Sequence, residues 1–312
     1  MPIMKKFGED QTDEKSPSTL VLGIGGAGRN IIEEIGEMPS SNVHICEVGT
    51  SSRPPKRSFL SISKKDMKNA YSSEIDIKER PLTKSEEKLK RKMKDFELIF
   101  IIAGLGGRTG SWTVPVCSKL SKKHDSLTIG MLAKPFDSES ENRKELSEEA
   151  QIEAHKYLDI SAGFSNEKLL EVNPHLPIGK AFSVMNKIIR LPIVDLNAVI
   201  TKSDISHIKE FCKKIDQFNI GAGYGKGRKK GVKAAEEALR SPWLEDINDA
   251  DKLLTVITTN HEKKLMDAQD ALEKVQNYWP DADIIWGTRK NSKIGKRIRV
   301  TVLAGRKGKK ES

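Results

Sequence analysis

Two short apolar runs in this chain each end in a cluster of glycines. Thr19-Leu-Val-Leu-Gly-Ile leads into Gly23-Ile-Gly25-Gly26-Ala27-Gly28-Arg29-Asn30, and Leu98-Ile-Phe-Ile-Ile-Ala leads into Gly104-Leu105-Gly106-Gly107-Arg108-Thr109-Gly110-Ser111. An apolar run of this length that stops at glycine and is followed by a helical pattern reads as a buried strand turning tightly into a helix. Glycines at such a turn let backbone N–H groups come up against a phosphate, with the N-terminus of the helix behind them.

The surrounding pattern extends the same scheme. A helix is expected from about Asn30 to Met38, a strand over Val43 to Val48, one helix around Ser85 to Lys94 in an otherwise polar stretch from Ser51, and a strand over Leu127 to Leu132. Strands that alternate with helices, with glycine at the strand-to-helix turns, predict a parallel sheet with helices on both faces. A long helix is expected from Gly179 to about Ile200, with Phe182, Met185 and Ile189 at helical spacing. Beyond it the texture changes. Helices over Val232 to Leu239 and Lys264 to Gln276, with strands over Leu253 to Ile257, Asp283 to Trp286 and Ile298 to Leu303, lack glycine-rich turns and suggest a smaller α+β domain.

Composition limits what such a chain can be. With 312 residues, 37% apolar and 31% charged, it can build two cores under a heavily charged surface. No apolar run approaches the roughly 18 residues of a membrane span. The N-terminal stretch is polar, without the apolar run of a signal peptide, so a cytoplasmic location is expected. Cys46, Cys117 and Cys212 are widely spaced and form neither a disulfide framework nor a metal motif, so no metal ligands are assigned. The net charge of +10 is concentrated at Lys226 to Lys230, between Arg289 and Arg299, and at Arg306 to Lys310. Aromatic residues make up only 5% and do not interleave with these clusters, so nucleic acid is a poor fit as a partner.

The glycine loops remain open to more than one reading. Alone, the first matches G-x-G-x-x-G, and Glu47 at the end of the next strand could serve as the acidic ribose ligand of a dinucleotide-binding fold. A second glycine loop on a nearby strand suits a nucleoside triphosphate better, and neither loop has the Gly-Lys-Ser/Thr of a Walker A sequence. Plain tight turns and close helix–sheet packing are the alternatives.

Taken together, the motifs resemble the tubulin/FtsZ family. Gly104 to Trp112 (GLGGRTGSW) is similar to its GGGTG(S/T)G signature, and Gly23 to Asn30 to its first phosphate loop. Lys134-Pro135-Phe136 with Glu139 and Arg143 resembles the ribose-contacting segment, and Asn166 an asparagine beside the nucleoside. Ala181-Phe182 with Asn186 is similar to the start of the central helix, where Phe stacks on guanine and Asn reads its edge. Gly231 to Leu244 and Arg299 to Ala304 look like the C-terminal domain. The resemblance implies a GTP-binding domain over 19–178 after a disordered tail at 1–18, a central helix at 179–203, a C-terminal domain at 204–305 and a basic tail at 306–312. It further implies GTP or GDP as ligand, with Mg²⁺ compatible, and head-to-tail filaments. The residues expected at the nucleotide are Gly25, Gly26, Ala27, Gly28, Asn30, Gly104, Gly106, Gly107, Arg108, Thr109, Gly110, Glu139, Arg143, Asn166, Phe182 and Asn186.

Four departures from the family pattern bear on activity. Arg108 and Trp112 stand where the signature has glycine; Arg108 could contact phosphate or crowd the loop. Gly49-Thr50-Ser51 stands where the family usually has Asn-Thr-Asp, which removes an acid that helps place Mg²⁺. The family's further glycine-rich loop for the terminal phosphate has no counterpart between Ser58 and Thr83. In the acidic loop that a neighbouring subunit lends to hydrolysis, Asp204 matches the first aspartate, but His207 occupies the place of the second. His207 is either a substitute acid–base group or a plain surface histidine. The resemblance therefore implies slow hydrolysis completed between subunits, with Asp204 and His207 as the catalytic candidates; a non-hydrolysing filament scaffold at membranes and an ordinary FtsZ-like cell-division GTPase are the alternatives. Contact with a membrane or a membrane adaptor is expected, if anywhere, through the basic tail.

Overall fold

The computed structural model describes residues 4–7, 16–36, 38, 42–50, 58–75, 77, 79–172, 175, 177–244, 247–260 and 265–308. The chain divides into two compact units, Pro17–Arg190 and Met1–Ser16 joined with Leu191–Ser312. The first short strand, β1 (Met4–Lys6), belongs to the second of these.

The unit Pro17–Arg190 is built in chain order from β2 (Thr19–Ile24), α1 (Gly25–Ile35), β3 (Val43–Gly49), β4 (Ser58–Ser61), α2 (Lys64–Tyr71), α3 (Lys84–Met93), β5 (Leu98–Gly104), α4 (Arg108–Ser121), β6 (Leu127–Lys134), α5 (Glu141–His155), β7 (Ile160–Ser165) and α6 (Lys168–Val172). Its six strands lie in the order β7-β6-β5-β2-β3-β4, every neighbouring pair parallel. All six residues of β2 are buried, as are six of the seven in β5, which is what a parallel sheet covered on both faces requires. From β2 the chain runs outward to β3 and β4, then returns to β5 and continues the other way. The point where the strand order reverses therefore lies between β2 and β5, the two strands that end in glycine loops. Open α/β sheets bind ligands at such switch points.

The long helix α7 (Ile178–Val199) begins in this unit and ends in the other. Pro192 sits inside it, just past the division between units, and has no N–H to give the carbonyl one turn back. The second unit continues with a 3₁₀ turn (Lys202–Asp204), α8 (Ile205–Phe211), β8 (Ile215–Gly225), α9 (Lys230–Leu239), β9 (Lys252–Thr259), α10 (Leu265–Tyr278), β10 (Asp283–Lys290), a 3₁₀ turn (Ser292–Ile294) and β11 (Ile298–Lys307). Its strand order is β1-β10-β9-β11-β8, parallel up to β9 and antiparallel on both sides of β11. α9 and α10 close one core against it, in which Ala234, Ala238, Ala271 and Val275 meet Leu253, Ile284 and Val300.

Several expectations need correction. Part of the expected disordered tail is strand β1, followed by Phe7 at only 2% exposure. The polar stretch from Ser51 holds β4 and α2 besides the expected helix; α2 buries only Met67 and Ala70, too little for a periodic pattern to show. The central helix stops at Val199, where a 3₁₀ turn replaces its expected last residues. The basic tail begins inside β11, where Arg306 and Lys307 are paired with Asp249 and Asp251. Lys309 and Lys310, like Ser51, lie outside the described residues. Among the described residues no helix is long and apolar enough to cross a membrane.

Candidate functional site

The two glycine loops emerge side by side from the ends of β2 and β5, and their glycines divide by environment. Gly25 and Gly106 have φ of 69° and 84°, the left-handed conformation a tight turn needs. Gly28 and Gly110 lie where backbone crosses backbone: a side chain on either would run into the carbonyl of Ile102 or of Gly104. Gly104 faces Ala27, whose methyl is 2.7 Å from where a Cβ would sit. These three hold helix close to strand. Gly26 and Gly107 are different, since a Cβ on either would meet nothing within 4 Å. The loops touch through Gly25 and Thr109, with the Thr109 Cβ 3.7 Å from the Cβ position of Gly25.

Behind the loops stand the N-termini of α1 and α4. Neither has a side-chain cap, and neither carries an acid in its first turn. Uncapped N–H groups and the positive end of a helix dipole thus stand at the open space of Gly26 and again at that of Gly107, a setting suited to phosphates. Ser111 steadies the second loop, its Oγ accepting the Gly106 N–H at 2.9 Å. Arg108, the first residue of α4, is exposed; Thr109 is half-buried. Trp112 packs on the core of this unit, so the bulk that replaces a glycine is absorbed inward rather than into the cradle. Asn30 and Ala27 are exposed on the first two turns of α1. Glu47 is 6% exposed and ion-paired with Arg29.

A second group supplies a flat apolar face. Phe182 is 41% exposed and meets Phe136 edge-to-face, with centroids 5.9 Å apart. Asn186, half-buried, lies one turn further along the same face of α7. Asn166 follows β7, is 8% exposed, and gives its backbone N–H to the Lys134 carbonyl at 3.3 Å. Glu139 and Arg143 pair with each other at 2.8 Å, and the second Glu139 oxygen accepts the Phe136 N–H at 3.0 Å. That bond anchors the loop that carries Phe136. Glycine cradle, aromatic face and polar groups all lie in the unit Pro17–Arg190 and fit a nucleotide.

Asp204 and His207 belong to the other unit. The Asp204 Oδ2 accepts the Thr201 N–H at 2.9 Å and the Thr201 hydroxyl at 2.6 Å, forming a capping box that fixes the turn after α7. Its second oxygen stands outside that box. His207 is exposed on α8. Ser111 and Phe136 support the candidate residues Gly106, Glu139 and Phe182 and were not among the expected ones, although both lie inside the quoted motifs.

A parallel α/β unit whose switch point presents two uncapped helix termini over glycine loops, and which carries an exposed aromatic, is of the mononucleotide-binding class. The family model for the GTPase domain of the tubulin/FtsZ family matches residues 18–174, and that for the FtsZ C-terminal domain matches residues 217–306. The chain is 30% identical over 298 residues to cell division protein FtsZ of Methanothermobacter thermautotrophicus, covering 91% of this chain and 77% of that protein. It is 32% identical over 295 residues to cell division protein FtsZ 1 of Pyrococcus furiosus, covering 91% and 79%. The chain belongs to the tubulin/FtsZ family. Its fold matches an empty FtsZ dimer from M. jannaschii with a TM-score of 0.80 at 25% identity over 94% of this chain and 89% of that one. It also matches CetZ2 of Haloferax volcanii in a GTPγS-bound protofilament, TM-score 0.70 at 16% identity over 94% of both; that likeness concerns the fold alone.

Proposed function

We propose that this chain binds GTP at the β2–β5 switch point and assembles head to tail into filaments of the cell-division cytoskeleton, with hydrolysis completed slowly between subunits. The observation that carries the reading is the pair of uncapped helix N-termini over Gly26 and Gly107, with the exposed Phe182 on the same unit. The α1 and α4 amides would hold the phosphates, and Thr109 and Arg108 would border them. Glu139, Arg143 and Asn166 would contact ribose and base, the first two by exchanging their mutual ion pair for hydroxyl partners. Phe182 would stack on the purine while Asn186 donates to and accepts from its edge. Mg²⁺, when bound, neutralises phosphate charge. Among the described residues no three His, Cys, Asp or Glu side chains gather into a metal-holding group.

Slow turnover follows from the side chains around Asp204. One of its oxygens is committed to Thr201, and His207 stands where the family pattern has a second acid. A group that positions or deprotonates water contributes about 10²–10⁴-fold in rate. Sedimentation with GTP, GDP or no nucleotide, with phosphate release followed in the same tubes, tests the reading. Pelleting that requires GTP, with slow release, is expected; no nucleotide dependence of either would overturn it. Calorimetry should show GTP preferred over ATP, and Asn186→Ala should flatten that preference.

A further inference from the structure

The free edge of β10 carries a strand-docking site whose present occupant is the chain's own N-terminus. β1 pairs with β10 in parallel, Met4 opposite Ile284, Lys5 opposite Ile285 and Lys6 opposite Trp286. The next N–H, that of Phe7, donates to the Trp286 carbonyl at 2.6 Å. Side chains 4–6 are exposed, whereas Phe7 is 2% exposed. Its seat depends on Gly287. A Cβ there would come within 3.1 Å of Phe7 and 3.0 Å of Val199, so the missing side chain is what admits the ring. The Lys6 ammonium lies 5.7 Å from the Trp286 ring centroid. Three ladder residues, one ring in a glycine-made socket and one cation over an aromatic have the dimensions of peptide recognition by strand addition. They are not the dimensions of a core strand.

We infer that this edge exchanges its occupant, and that Met4–Phe7 of a second copy of the chain docks on it in assemblies. Every copy carries both the strand and the socket, so the strand of one copy fits the edge of the next with the same hydrogen bonds and the same buried ring. Such a contact propagates along a row when each strand docks on the next copy, and closes into a dimer when two copies exchange strands reciprocally. The inference rests on the proposed assembly only for the supply of neighbouring copies.

Cysteine crosslinking tests it. The three native cysteines are buried and should not compete. Lys6→Cys in one preparation and Trp286→Cys in another are mixed, polymerised with GTP, oxidised and run on a non-reducing gel, with pelleting checked in parallel. Covalent dimers that form in the mixture and in neither preparation alone are expected, reduced about tenfold or more when the Lys6→Cys copy also carries Phe7→Ala. Monomers alone in a sample that pellets would overturn the exchange and leave the assembly standing. Should Trp286→Cys fail to fold, a labelled peptide of residues 1–10 decides instead. It should bind a chain lacking residues 1–7, and the Phe7→Ala peptide should not; no difference between the two peptides overturns the inference.

Discussion

At Gly106 the backbone sits at φ 84°, and an added Cβ would lie 2.9 Å from the Arg143 carbonyl oxygen, whereas at Gly107 such an atom would meet nothing within 4 Å. Gly106→Ala should therefore destabilise the fold, by about 1–3 kcal/mol from backbone strain and the crowded carbonyl together. Gly107→Ala should shift stability by no more than about 0.5 kcal/mol. If a phosphate occupies the open space, it should still lower GTP affinity by about tenfold or more. Thermal denaturation beside a calorimetric titration separates the two effects, and unaltered binding by Gly107→Ala would remove the phosphate from that position. Both glycine loops were legible in the sequence because an apolar run ending in clustered glycines has few other uses. What each glycine does was not legible, since a left-handed turn, a close backbone crossing and a vacancy for a ligand all ask for the same residue. Glu139 and Arg143 show a similar limit: their spacing suits an ion pair as well as a ribose contact, and they form the pair.

Among the elements, α7 was the most legible, because twenty-two residues with apolar positions at helical spacing leave no competing period. β8 was not among the expected strands. Its Gly221, Gly223 and Gly225 suggest turns, yet they mark where the backbone of α9 crosses a continuous strand. How α7 is secured was also hidden. Asp195 on that helix is fully buried and accepts from Arg289 and the Thr301 hydroxyl, both at 2.7 Å, and from Arg299. These partners stand far along the chain, on β10 and β11, beyond the reach of any local pattern. Asp195→Ala should leave two guanidinium groups without their counter-charge and cost about 3–5 kcal/mol in urea denaturation. A loss below about 1 kcal/mol would contradict that assignment. Acid sensitivity belongs to α3. Burial alone would push the Glu86 carboxyl up, but hydrogen bonds from Arg80 and Thr83 outweigh it and hold the group below its ordinary value of 4.5. A depressed carboxyl contributes stability above that ordinary value and loses it as pH falls through the folded one. Arg80→Ala should therefore cost stability at neutral pH, and the difference from the parent chain should shrink on acidification below pH 4.5.

For the whole molecule, the sequence was sufficient for the class of fold, because each strand–glycine–helix unit is local. The division between units was not legible. It falls within α7, and the first sixteen residues group with the C-terminal half, because Phe7 and β1 find their partners on β10. Under the proposal, function at this scale turns on residues supplied by neighbouring copies. The glycine loops lie in Pro17–Arg190 and Asp204 in the other unit, and the proposal has each subunit complete the site of its neighbour. His207→Asp should raise turnover if the second acid is what the chain lacks. The most direct measurement is phosphate release per chain as a function of protein concentration, for the parent chain and for Asp204→Ala. The account predicts that specific activity rises with concentration and that Asp204→Ala abolishes it while GTP still binds. A specific activity independent of concentration that survives Asp204→Ala would place hydrolysis within one subunit and contradict the account.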